Sequence, residues 1–280
     1  MKKTTRRKSK KSSIKGQNTG LAQNTAPPQN TVSKAQGAVR TLDFSYGVLS
    51  MVFALVVAWL VLMPFDFLYG LFHDVAGIRE GIEQYAPLNR YREGFELTDR
   101  AQRLELFHQI SLSVHNSGKG LADIVYVTQA KAEPQLLLRE PEVQHLQDVA
   151  QLIDWLKPVV LVAVLAWLIL TVKFFRRREG FPALRHQVLG LGVFALTIVL
   201  VLGVVGAEKV FNTLHEWIFP GDHQWFFYYQ DSLMSTMMLA PVLFAWIAGA
   251  LAIIAVTVYV LLNFGLQRMQ SRYGTRLTKR

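Results

Sequence analysis

Four long apolar runs alternate with polar segments along the chain, at about residues 46–63, 159–175, 188–205 and 239–262. A helix needs about 20 apolar residues to cross the hydrocarbon core of a bilayer, and each run is close to or above that length. Continuous apolar runs of this kind are typical of membrane helices. The pattern therefore predicts an all-α membrane protein with four transmembrane helices.

The two longest internal polar segments, residues 66–155 and 207–238, follow the first and the third apolar run. Within the first segment, residues 99–114 carry apolar side chains at helical spacing, and residues 116–120 have the composition of a turn. Because the first and third helices would cross the membrane in the same direction, both segments emerge on one side. We expect them to form a small mixed cap on a membrane domain of residues 43–264.

Basic residues are concentrated in an N-terminal tail of residues 1–42, in the short loop Arg176–Arg178 and in a C-terminal tail of residues 265–280. Lys and Arg beside membrane helices favour the cytoplasmic side, so both termini are predicted to be cytoplasmic and the cap extracytoplasmic. The polar composition predicts that residues 1–42 are disordered. These membrane-flanking positions account for the net charge of +10, and no nucleic-acid partner is expected.

The overall composition narrows the possible chemistry. Hydrophobic residues make up 51% of the chain, which is typical of a small membrane protein. There is no cysteine, which excludes disulfides, thiolate nucleophiles and cysteine-ligated metal centres. We expect neither a cofactor nor a resident metal.

Two histidines lie beside the apolar runs on the predicted extracytoplasmic side. His145 precedes the second run and His215 follows the third, and the short loop between these runs makes their helices antiparallel neighbours. Both imidazoles are therefore expected at one membrane face, where a neutral and a protonated ring can act as general base and general acid. Asp148 lies one helical turn after His145 and is expected to orient its ring.

The stretch between the third and fourth runs, residues 211–235, combines ionisable groups with five successive aromatic residues at 225–229. One interpretation is an aromatic belt at the membrane interface, which Trp and Tyr commonly form. A sharper interpretation is a wall around a lipid glyceryl group, with tyrosine hydroxyls donating to ester oxygens. Besides Asp148, the candidate supporting residues are Phe211, Asn212, Trp217, Asp222, Trp225, Tyr228, Tyr229 and Asp231.

Two other functions are compatible with these residues. The first is a metal-dependent membrane hydrolase, although no tight ligand spacing such as HExxH is present. Its possible ligands are His145, Asp148, His215, His223 and Asp231. The second is a non-enzymatic membrane protein whose cap binds a partner and whose histidines are interfacial or sense pH. For the remaining cap histidines, His73, His108 and His115, we expect core or surface roles.

Three motifs follow one another in the second half of the chain. They are HLQDV at His145–Val149, FNTLHEWIF at Phe211–Phe219 with Gly221, Asp222 and Trp225 shortly after it, and DSLM at Asp231–Met234. The motifs and their order resemble the lipoprotein intramolecular transacylase family of four-span bacterial membrane proteins. The resemblance covers roughly residues 43–264, including the order of the apolar runs and the large first polar segment.

The resemblance implies a four-helix bundle with an extracytoplasmic cap in the bacterial cytoplasmic membrane. It implies an enzyme that moves an acyl chain from the sn-2 position of a lipoprotein's diacylglyceryl group to the amine of the lipoprotein's own N-terminal cysteine. The implied partners are membrane lipid and the diacylated lipoprotein. The two histidines of the family match His145 and His215. One would deprotonate the attacking amine and the other would protonate the leaving glyceryl oxygen, and the motifs leave the assignment open.

Overall fold

The computed structural model of the protein describes residues 29–128, 131–176, 180–219 and 221–277. In chain order its elements are α1 (Gln29–Leu62), α2 (Tyr69–Val75), α3 (Ile78–Tyr85), α4 (Arg100–His115), β1 (Val125–Thr128), β2 (Lys131–Leu136), α5 (Glu140–Arg176), α6 (Leu184–Val205), α7 (Ala207–Ile218), α8 (Leu233–Met238) and α9 (Val242–Leu277). The fold is therefore mostly helical, with one small antiparallel sheet, as the sequence predicts. The first 28 residues of the basic tail, most of the Arg176–Arg178 loop and the last three residues lie outside the described residues.

The four apolar runs fall in α1, α5, α6 and α9. Three described segments are long and apolar enough to cross a membrane, namely Leu42–Val75, Glu140–Arg176 and Val242–Arg272. The third predicted span differs, because Leu191–Val205 meets the same criterion only together with Glu208–Ile218, across a bend of 103°. By length and composition the described residues thus hold three spans, or four if this bent pair is one span.

Gly206 forms the bend between α6 and α7. Its φ of +91° is open to glycine and is strained for residues with a Cβ. The backbone N–H of Gly206 still donates to the Leu202 carbonyl, which ends α6 before the chain turns into α7. This turn brings the helix that carries His215 away from the direction of α6.

Helices α1 and α9 extend further than the sequence predicts. Helix α1 begins at Gln29, within the tail expected to be disordered, because a helix already nucleated in an apolar run gains one hydrogen bond for each added residue. Helix α9 begins at Val242 instead of residue 239 and continues through the predicted C-terminal tail to Leu277. Gln270 fixes part of that extension, since its side chain donates to the Phe174 carbonyl over 2.9 Å.

Helix α5 is longer than a membrane crossing requires. Its 37 residues correspond to about 55 Å, nearly twice the ~30 Å of a hydrocarbon core. The predicted span of residues 159–175 occupies its C-terminal part, and Pro158 lies inside the continuous helix. His145 therefore lies about 20 Å before the predicted span, in the charged N-terminal part of α5.

The two segments predicted to form the cap share one hydrophobic core. Its buried side chains come from residues 69–150 and from residues 227–243. Tyr69 connects the two parts: its ring stacks on Phe107 with centroids 4.1 Å apart, and its hydroxyl donates to the Met237 carbonyl over 2.9 Å. Long-range packing of this kind fixes the second segment against the first.

Glu142 ties α8 to the start of α5. Its side chain is fully buried. One carboxylate oxygen accepts from the Ser232 hydroxyl over 2.5 Å and from the Met234 N–H over 3.3 Å. The other accepts from the Arg139 N–H over 2.7 Å, which also caps the first turn of α5.

Candidate active site

A cavity of about 400 Å³ lies among α1, α4, α5, α7, α8 and α9. Its size falls in the range of small-molecule sites in proteins. Aromatic and aliphatic side chains make up most of its lining. The polar lining residues are Ser111, His115, His145, His215 and Ser235. A lining of this kind favours a largely apolar ligand. The few polar side chains can orient the ligand or react with its polar part.

The rings of His145 and His215 both lie beside the ring of Phe219. The Phe219 ring centroid is 5.1 Å from that of His145 and 5.4 Å from that of His215. Both imidazoles line the cavity, so the structure brings together two residues that are far apart in the sequence. The two imidazoles therefore share one mostly apolar part of the cavity wall.

The hydrogen bond of His215 fixes its tautomer. Nδ1 lies 2.9 Å from the carbonyl oxygen of Phe211, which can only accept, so Nδ1 carries the hydrogen. In the neutral ring the lone pair is therefore on Nε2, as a general base requires. The ring itself packs against Phe211 and Trp225, with centroids 3.9 and 5.0 Å away.

His145 is held in its neutral form. Burial, and after it the neighbouring His215, lowers the pKa of His145 to about 4, against a weaker opposing effect of Asp148. Its Nδ1 is buried without a hydrogen-bond partner in the described part of the chain. Near neutral pH this ring is consequently a neutral group that can offer one N–H, and it is a weak source of protons.

Acidification should destabilise the protein through His145. Between pH 6.5 and about 4 the unfolded chain binds a proton at this residue that the folded protein does not bind, so stability is lost as the pH falls. The loss approaches roughly 3 kcal/mol near pH 4 and does not grow below it. In thermal unfolding of detergent-solubilised protein, His145→Phe should flatten this part of the profile. Identical pH profiles for the two proteins would contradict the assignment.

Asp148 does not orient the ring of His145 as the helical spacing predicts. Its carboxylate is instead 2.7 Å from Nδ1 of His223, and the two side chains are only 10% and 25% exposed. His223, in the loop after α7, contacts the Asp148 carboxylate, whereas His145, one helical turn before Asp148, does not form a hydrogen bond with it. Asp148 therefore holds that loop against α5, beside the cavity.

The aromatic block alternates between the cavity and the exterior. Trp225 and Phe227 line the cavity, whereas Phe226 and Tyr228 are more than half exposed. The Tyr229 hydroxyl donates to the Ala240 carbonyl over 2.6 Å, so its hydrogen is engaged within the protein. Two alternate residues of the block thus belong to the cavity wall.

The other predicted supporting residues fall into two groups. Phe211 lines the cavity together with Trp225. Asn212, Trp217, Asp222 and Asp231 do not belong to its described lining, and Trp217 is 79% exposed. Asp231 forms an ion pair with Arg90 over 3.2 Å.

Several lining residues come from the N-terminal half and are absent from the sequence-based site candidates. They include Trp59, Phe67 and His115. Phe67 reaches the cavity from a turn in which Asp66, Phe67 and Leu68 all have left-handed backbone angles, with φ of 49°, 52° and 65°. Phe67 and Leu68 do not signal such a turn, since Gly, Asn and Asp are its usual residues. His115 follows the apolar face of α4 that the spacing does predict.

The described residues do not contain the ligand set that the metal-site interpretation requires. Among residues 29–128, 131–176, 180–219 and 221–277, no group of three His, Cys, Asp or Glu side chains is close enough to hold a metal ion. The five ligands considered from the sequence divide between the His145–His215 pair, the His223–Asp148 pair and the Asp231–Arg90 pair.

The fold and the cavity define a helical protein of the membrane class with two imidazoles in an apolar enclosure. Residues 124–244 match the family model described as lipoprotein intramolecular transacylase Lit. Over these residues the match confirms the resemblance predicted from the three motifs. The match runs from the start of β1 into α9 and includes His145 and His215, while α1 and α4 lie outside it. No curated protein and no solved structure gives a significant match to the chain.

Proposed function

We propose that the protein is a membrane acyltransferase that moves an acyl chain within one lipoprotein, from the diacylglyceryl group to the amine of the N-terminal cysteine. The observation that carries the proposal is that His145 and His215, both within the region that matches the transacylase family, line one apolar cavity. The proposed setting is the outer face of a bacterial cytoplasmic membrane.

The cavity suits the apolar part of this substrate. The acyl chain comes from the hydrocarbon of the bilayer, and an aromatic and aliphatic lining accepts such a chain without leaving buried polar groups unpaired. The ester at the head of the chain is the only part that needs polar contacts. Those contacts are available where the two imidazoles adjoin the Phe219 ring.

His215 is the proposed base. The amine nitrogen attacks the ester carbonyl carbon, and the proton that it loses goes to Nε2 of His215, the nitrogen left free by the bond to Phe211. The new C–N bond forms and the C–O bond to the glyceryl group breaks. The same imidazolium then returns the proton to the leaving glyceryl oxygen, so protons balance without a second acid.

His145 has a different proposed role from the proton donor implied by the family resemblance. A pKa lowered to about 4 leaves too little imidazolium at neutral pH for efficient general-acid catalysis. As a neutral ring, His145 can donate an N–H hydrogen bond to the carbonyl oxygen while negative charge develops there. Donors aimed at developing charge in an apolar site are an effective source of catalysis.

The reaction needs no protein nucleophile. The amine and the ester belong to one molecule, and holding them together replaces a bimolecular encounter by an intramolecular one. The product is a lyso-form lipoprotein with an N-acylated cysteine. The proposed reaction uses only imidazole groups of the protein and the substrate itself.

Mass spectrometry of lipoprotein N-termini tests the proposal in cells. Cells that express the protein should contain lipoproteins with an N-acyl cysteine and a monoacylglyceryl thioether, and cells lacking it should lose this form. Expression of a His215→Phe variant provides the matched control. Identical N-terminal structures in all three strains would contradict the proposal and would favour a non-enzymatic role.

A further inference from the structure

His115, the last residue of α4, is a third imidazole in the lining of the same cavity. Its ring packs against two other lining residues. The Trp59 centroid is 5.6 Å away, and the Phe67 ring is stacked at 5.9 Å with an interplanar angle of 17°. The ring is therefore held by α1 and by the left-handed turn that follows it.

The hydrogen bonding of His115 leaves one nitrogen for a ligand. Nδ1 is 2.7 Å from the Ser111 carbonyl oxygen, which can only accept, so Nδ1 carries the hydrogen. In the neutral ring Nε2 is then an acceptor. It is buried and has no partner within the described residues. A buried acceptor without a donor is unfavourable, and a bound molecule in the cavity can supply the missing donor.

His73 provides a useful contrast. Its Nε2 is also buried without a partner in the described chain, but His73 does not line the cavity and its Nδ1 is 2.9 Å from Asp74. The open nitrogen of His73 lies in the core between helices. Among the histidines whose side chains the structure describes, only His115 combines such a nitrogen with a place in the cavity wall outside the His145–His215 pair.

We infer that His115 binds the substrate's attacking amine, an inference that rests on the proposed acyl transfer. The ester oxygens of a diacylglyceryl group only accept hydrogen bonds, so the donor nearest the reacting ester is the α-amine. Nε2 of His115 accepts one N–H of this amine, while Nε2 of His215 receives the proton that is transferred. Two acceptors on one nitrogen direct its lone pair toward the ester carbonyl. No bond is broken at His115.

Paired substitutions separate this role from packing. His115→Phe keeps a ring between Trp59 and Phe67 but removes Nε2, whereas His115→Gln keeps a polar atom near the position of Nε2. With reconstituted protein we expect His115→Phe to lower kcat/KM by about tenfold to a hundredfold, at an unchanged or higher melting temperature. His115→Gln should recover most of the loss. Gln109→Ala, on an outer face of α4, should match wild type.

Binding of unreactive analogues tests the contact directly. Wild type should bind a diether lipopeptide with a free amine about tenfold more tightly than its N-acetylated form. His115→Phe should lose this preference and bind both alike. Full activity in His115→Phe, a retained preference for the free amine, or a loss of activity that follows a lower melting temperature would each overturn the inference. Absence of acyl transfer by wild type would instead overturn the proposed function.

Discussion

Replacement of His215 by phenylalanine should reduce acyl transfer by at least about a hundredfold, because it removes the base and leaves the wall of the cavity in place. The phenyl ring can keep the contacts with Phe211, Phe219 and Trp225, which are ring-to-ring contacts in the native protein. A large effect on kcat without a change in thermal stability is the expected signature. Turnover in reconstituted vesicles, followed by loss of the free amine, provides the measurement.

Two further variants sharpen this result. His145→Phe should also lower kcat, because the N–H offered to the developing oxyanion is lost, by about tenfold to a thousandfold. Glu208→Gln changes an exposed residue on the same helix as His215 and should leave turnover unchanged. If His215→Phe turned over substrate at the rate of Glu208→Gln, His215 would not be the base.

The largest expected effect on stability comes from Glu142→Ala. The substitution leaves the Ser232 hydroxyl and the N–H groups of Met234 and Arg139 without their buried acceptor. Leaving such donors unsatisfied costs about 1–3 kcal/mol each, so the total loss should be roughly 3 kcal/mol or more. Because these bonds join α8 to α5, the cavity wall formed by Met234 and Ser235 should loosen as well.

Chemical denaturation of the detergent-solubilised protein measures this loss. Glu142→Gln keeps one acceptor oxygen and should be less destabilised than Glu142→Ala. Glu140→Gln alters an exposed carboxylate in the same turn and should change stability by less than about 0.5 kcal/mol. Equal stability of Glu142→Ala and Glu140→Gln would show that the buried carboxylate does not join the two helices.

Some of this structure follows from the sequence because it depends on local patterns. The apolar runs predict where α1, α5, α6 and α9 lie, and the helical spacing of apolar side chains in residues 99–114 predicts α4. In the structure the Asp99 side chain caps this helix by accepting from the Gln102 N–H. The pairing of His145 with His215 follows from the short loop between α5 and α6. Such inferences need only helix periodicity and the direction of neighbouring helices.

Other parts depend on contacts that no local pattern specifies. Helical spacing assigns Asp148 to His145, but a loop residue distant in sequence, His223, lies closer to the carboxylate. Phe67 enters the cavity from a run of three left-handed residues, which Phe and Leu rarely adopt, and its ring contacts Trp59 and His115 there. The Tyr229 hydroxyl donates a hydrogen bond to the Ala240 carbonyl, which the sequence does not indicate. In each case the arrangement depends on tertiary contacts with residues that local sequence patterns do not identify.

The most direct test of acyl transfer within one lipoprotein uses wild-type protein in phospholipid vesicles. The substrate is a synthetic diacylglyceryl-cysteine peptide that has a free amine. An acyl shift within one molecule leaves the peptide mass unchanged while its amine becomes unreactive, and fragmentation should show an N-acyl cysteine with a monoacylglyceryl thioether. An equal mixture of peptides with light and heavy acyl chains should give no crossed products. A peptide that keeps its free amine, or one that gains the mass of an additional acyl chain, would contradict transfer within a single lipoprotein.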